Sequence, residues 1–113
     1  MTNLLRTSAV LFSIVLLSAC STIQAGRDFD VGMFAAKIQQ NVTTQAEVRS
    51  WLGEPMGVGM AVESDGARYD EWDYYFAEGQ IQDMSTAKVK ILQVKFGKDG
   101  KVHSYNWTTT AKQ

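Results

Sequence analysis

Hydrophobic positions change their spacing three times along the chain. Residues 9–17 (AVLFSIVLL) form an apolar block without period, interrupted only by Ser13. After a polar stretch, Val31, Phe34, Ala35 and Ile38 fall at i, i+3, i+4 and i+7. That spacing predicts one stripe of an amphipathic helix of about three turns. Gln39-Gln40-Asn41 breaks the stripe, and Asn tolerates the left-handed conformation that ends many helices. Thr44-Gln45-Ala46-Glu47 then reads as a capping box: the threonine hydroxyl accepts from the Glu47 amide while the carboxylate reaches back. Val48, Trp51 and Leu52 make the buried stripe of this second helix; Gly53 supplies its C-terminal cap and Pro55 blocks continuation.

From Met56 the period is two. Met56, Val58, Met60 and Val62 alternate with glycine or alanine, a strand with one large-residue face. Ser64-Asp65-Gly66 is a turn. Residues 68–76 (RYDEWDYYF) set Trp72, Tyr74 and Phe76 on one face and Tyr69, Glu71, Asp73 and Tyr75 on the other. Residues 78–86 read as a polar loop. In 88–96 (KVKILQVKF), Leu92, Val94 and Phe96 point inward, and after a hairpin turn at 97–100 the segment 101–108 (KVHSYNWT) returns. Helices first and strands after predicts an α+β domain over residues 31–113: two N-terminal helices packed on a three- to four-stranded antiparallel meander. A three-layer or parallel arrangement lacks the crossover helices it would need.

The apolar block at 9–17 is about half the length needed to cross a bilayer. With one basic residue, Arg6, before it and small residues after, residues 1–19 read as a secretory signal peptide. It ends in Leu17-Ser18-Ala19-Cys20, which resembles the bacterial lipobox, where the bond between Ala19 and Cys20 is cut and Cys20 is acylated. A diacylated cysteine with an acylated amine exceeds the two hydrophobic signals that stable anchoring requires. Ser21 does not resemble the aspartate of an inner-membrane retention signal, so the expected address is the outer membrane, facing the periplasm. Residues 20–30, with the polar STIQAGRDFD stretch, are expected to be a lipidated flexible tether. Of 113 residues 45% are hydrophobic, but the leader takes a large share of these, and the 94 residues from Cys20 onward carry ten basic against twelve acidic side chains. That balance argues against a nucleic-acid partner. One cysteine and one histidine are too few for an internal disulfide framework or a Cys/His metal cluster.

Three groups of motifs carry a family resemblance. Thr44-Gln45-Ala46-Glu47-Val48 with Trp51-Leu52-Gly53-Glu54-Pro55, then Trp72-Asp73-Tyr74-Tyr75-Phe76, then Leu92-Gln93-Val94-Lys95-Phe96 with Gly100-Lys101-Val102 are similar in order and spacing to the signature segments of the SmpA/OmlA (BamE-like) family of outer-membrane lipoproteins. The resemblance spans about residues 34–107 together with the lipobox. It implies two helices before an antiparallel sheet, and a non-enzymatic module that supports β-barrel assembly or envelope integrity by binding components of the assembly machinery. In two places the chain departs from the family. Asn41-Val42-Thr43 replaces the glycine often found before the capping threonine, and residues 21–26 lack the tyrosine- and proline-containing segment of BamE-like proteins.

Little chemistry stands beside this. His103 alternates with Tyr105 and Trp107 on a strand and has no nucleophile or orienting group in sequence. Asp70, Glu71 and Asp73 lack the spacing of a cation loop, and no phosphate-binding glycine motif precedes a helix. No cofactor, metal or small-molecule substrate is expected. Charge is segregated: six acidic residues lie from Asp65 to Asp83, and Lys88, Lys90, Lys95, Lys98 and Lys101 follow. These lysines either pair across the sheet or form a basic edge for anionic lipid headgroups. Tyr69 and Tyr75, opposite the core face of their strand, are the candidate partner surface. A second reading is a periplasmic binding or inhibitor domain acting on a soluble target, since a two-helix-plus-sheet unit also resembles β-lactamase inhibitor proteins.

Overall fold

The computed structural model describes residues 21–110. The expected signal segment 1–19 and the expected acylation site Cys20 lie outside the described residues.

The organising element is β3 (Arg68–Gln80), whose alternation buries Trp72, Tyr74 and Phe76 on one face. β4 (Asp83–Phe96) pairs antiparallel along one side of it, setting Trp72 opposite Val94 and Tyr74 opposite Leu92. β5 (Val102–Thr109) pairs with β4 beyond, with an irregularity at Lys95/Phe96. The other side of β3 is shared end to end. β2 (Gly57–Val62) pairs with Arg68 to Asp73, and β1 (Thr22–Gly26) pairs with Phe76 to Gln80. Gly26 sits at the junction with φ +75, where a Cβ would stand 2.2 Å from the Tyr75 carbonyl oxygen and 2.8 Å from the Met56 sulfur.

Two short helices cover one face. α1 (Val31–Lys37) begins at Asp30, whose carboxylate accepts from the Met33 amide at 2.9 Å. α2 (Gln45–Leu52) begins at Thr44 with both arms of the capping box formed, and ends at Gly53 with φ 82. The linker between them is stitched to the sheet. The Asn41 amide donates to the Val102 carbonyl at 2.7 Å, the Val102 amide donates to the Thr43 carbonyl at 2.8 Å, and Thr44 bridges Lys101. Asn41 itself takes φ 64, the left-handed conformation for which Asn is suited. Val31, Phe34, Val48 and Leu52 from the helices meet Trp72, Tyr74, Phe76, Leu92, Val94, Phe96 and Val102 in one core. Each fully buried large side chain contributes about 1.5–3 kcal/mol. The Tyr74 hydroxyl, otherwise stranded in that core, donates to the Gly53 carbonyl at 2.8 Å and closes the C-terminal end of α2.

The expectation of two N-terminal helices on a three- to four-stranded meander is overturned. The domain is mostly a five-stranded antiparallel sheet, and a strand precedes both helices. Residues 22–26, expected within a flexible tether, are that strand. Every residue of β1 is exposed, so backbone pairing rather than side-chain burial makes it, and no apolar period marks it. The polar segment at 78–86, expected as a loop, for the same reason extends β3 to Gln80 and starts β4 at Asp83. α1 is also shorter than its stripe: Ile38 is already extended at the C-cap and Ala35 faces solvent.

Candidate interaction surface

Helix and strand lengths decide which parts of the sheet stay open. At 1.5 Å per residue, α1 and α2 are about 10 and 12 Å long, whereas the thirteen residues of β3 extend about 43 Å. The sheet therefore overhangs its helices. On the overhang lie Val58, Met60 and Val62 of β2, exposed at 70%, 60% and 62%, with Met56 next to them. Val58 is the register partner of Trp72, so this row shares the helix-covered face and continues the core into solvent. Among the described residues β2 pairs with β3 alone, leaving its outer backbone edge open. At the opposite edge of the same face, Tyr105 meets Phe34 edge-on at 5.5 Å and stacks with Trp107 at 6.1 Å; both are partly exposed.

Tyr69 and Tyr75, the residues singled out from sequence, lie on the other face of the sheet and are not brought together. Tyr75 is exposed and sits opposite Ile91. Tyr69 is half-buried and stacked on His103, with ring centres 4.1 Å apart. Six residues of strand separate them, roughly 20 Å. Each ring has its own neighbours, and His103 serves Tyr69 as a stacking platform.

The five lysines do not line one edge. Lys90 lies on the helix side, where its ammonium donates to Asp28 at 2.8 Å and to the Phe29 carbonyl at 3.1 Å. Lys95 is on the opposite face, paired with Glu63 at 3.0 Å. Lys88 stands beside Glu78 in register, and Lys98 and Lys101 belong to the β4–β5 turn at the far end of the strands. Of the five, Lys90 and Lys95 are held in ion pairs, with carboxylates that lie outside the acidic 65–83 segment.

The surrounding electrostatics are structural. The hydrogen bond from Lys90 is the main cause that holds the Asp28 carboxyl below its ordinary 3.8, with the charge of Lys90 and the Phe29 amide adding to it against some desolvation. Burial pushes the Tyr74 hydroxyl up to about 12, so it is a neutral donor at all physiological pH. Arg49 lies 4.8 Å over the Trp72 ring and pairs with Glu54 at 3.1 Å, sealing the edge of the core beneath α2. Oδ1 of Asp73, on the face away from the helices, is shielded and has no hydrogen-bond partner among the described residues. No group of three or more His, Cys, Asp or Glu side chains converges there.

Sequence reasoning missed the β2 row as a surface because its alternation reads equally well as a core-facing strand. The signal that separates the two is helix length: fifteen helical residues cannot cover a sheet this long. No protein-family model matches the chain, and comparison with curated proteins and with solved structures gives no match.

Proposed function

We propose that this chain is a non-enzymatic protein-interaction module of the bacterial cell envelope, anchored to the periplasmic side of the outer membrane through acylated Cys20. The observation that carries the interaction reading is the exposed row Met56, Val58, Met60 and Val62 on an edge strand with an open backbone. An extended segment of a partner adds to such an edge through main-chain hydrogen bonds, and its alternate side chains pack on the apolar row. An uncovered row of large apolar residues on a strand edge invites self-association unless something occupies it. The lipobox-like Leu17-Ser18-Ala19-Cys20 supports the anchor. The order of the signature-like motifs supports components of the β-barrel assembly machinery as the partner class.

A photo-crosslinking residue at position 60 in cells tests this reading. It is expected to yield an adduct containing an assembly-machinery component, weakened at least about tenfold by Val58→Asp, consistent with loss of one buried apolar contact and the burial of a charge. The same residue at position 108, on β5 at the opposite edge of the sheet and on its other face, should give none. Absence of any adduct at 60, or one unaffected by Val58→Asp while circular dichroism shows the fold intact, would refute the interaction surface.

A further inference from the structure

The described chain begins at the tip of the β3–β4 hairpin. The Ile81 amide donates to the Ser21 carbonyl at 3.1 Å, and β1 runs away from that tip, from Thr22 opposite Gln80 to Gly26 opposite Phe76. Cys20 is the residue next to Ser21 in sequence. The same tip exposes three large apolar side chains, Ile23, Ile81 and Met84, each about half accessible. Ile23 and Met84 flank one spot. Ile23 is the register partner of Gly79, and the Met84 sulfur lies 3.3 Å from where a Gly79 Cβ would be. Charged groups border the tip as well: the exposed Asp83 carboxylate turns back to accept from the Ser85 amide and hydroxyl, and Glu78 stands opposite Lys88 on the helix-side face, where all three line one hollow with Thr22 and Gln80.

We infer that the β3–β4 hairpin tip is a membrane-docking site, with Ile23, Ile81 and Met84 entering the bilayer interface beside the acyl chains on Cys20. The inference rests on the lipid-anchor reading above and adds to it an orientation. An apolar protein surface at an interface sinks about 5–10 Å into the boundary between headgroups and acyl chains. The bilayer is the occupant because the segment that would carry the lipid ends at this tip and nowhere else. β1 pairing then replaces a loose leash by a fixed distance between anchor and domain, and the strands rise from the membrane with the β4–β5 turn farthest away.

The experiment uses the full chain, processed in cells and reconstituted in phosphatidylethanolamine–phosphatidylglycerol vesicles carrying nitroxide-labelled lipids. An environment-sensitive fluorophore is placed through Ile81→Cys, or through Lys98→Cys at the far turn, with mass spectrometry reading acylation of Cys20 in the same samples. The expected result is blue-shifted emission and lipid quenching at 81, and neither at 98. With the label moved to Gln82→Cys, the pair Ile81→Asp and Met84→Asp should abolish quenching by nitroxides deep on the acyl chains and leave quenching by headgroup nitroxides, which the anchor keeps within reach; both side chains are exposed, so the core is untouched. Acylated Cys20 with a water-exposed tip overturns the docking alone, and so does a tip shielded from water yet unquenched, which would mean a protein surface covers it. Acyl-chain quenching that survives the double substitution also overturns it. Unmodified Cys20 overturns the anchor and the docking with it.

Discussion

Gly26 holds the least replaceable position on the side of β3 that β1 and β2 share. Its positive φ and the 2.2 Å approach to the Tyr75 carbonyl leave no space for a Cβ, so Gly26→Ala must push β1 from β3. A loss of at least about 1 kcal/mol is expected, read as a lowered melting temperature with the exchange of β1 amides accelerated most. Thr44→Ala removes one arm of the capping box and should cost about 1 kcal/mol, with Thr44→Ser close to neutral by the same melt. The Asp28–Lys90 pair makes a signed prediction about pH. The carboxyl is depressed in the folded state, so its contribution is complete above 3.8 and disappears as pH falls through the lower folded value. Carboxyl NMR titration should place Asp28 below 3.8 in the native chain and near it in Lys90→Gln. Equal values in the two proteins would mean that Lys90 is not the cause.

At the scale of elements, legibility followed side-chain burial. α2 was readable to the residue because its cap, stripe and stop are all side-chain signals, and the inward residues of β3 and β4 were readable from their alternation. β1 and the outer half of the β3–β4 hairpin were not, since their five and more residues are held by backbone hydrogen bonds that any side chain permits. The candidate surface was half legible: Met56 to Val62 stood out as a strand, while its exposure depended on how far two short helices reach. The five lysines do not form one edge because Lys88 and Lys90 share one face of β4, Lys95 takes the other, and Lys98 and Lys101 lie in the turn beyond its end. Hydrogen exchange should reproduce the same division, with Leu92, Val94 and Phe96 amides slowest and those of β1 and of 81–87 faster by orders of magnitude. Uniform protection along β4 would contradict the ranking.

For the whole molecule, the two ends of the sheet differ in chemistry. Ile23, Ile81 and Met84 occupy one end, and the turn with Lys98 and Lys101 the other, with the open row of β2 on the same half as that turn. Cys20→Ser is expected to abolish acylation and to move the chain out of the outer-membrane fraction while leaving its circular dichroism unchanged; unchanged fractionation would defeat the anchor reading. β1 adds a mechanical consequence. A partner seated on β2 that pulls against the anchor loads β1 nearly parallel to its own axis, so its hydrogen bonds to β3 are stressed in shear and share the force. A coil of the same length would stretch before transmitting anything, whereas this strand hands the tension directly to the longest strands of the domain.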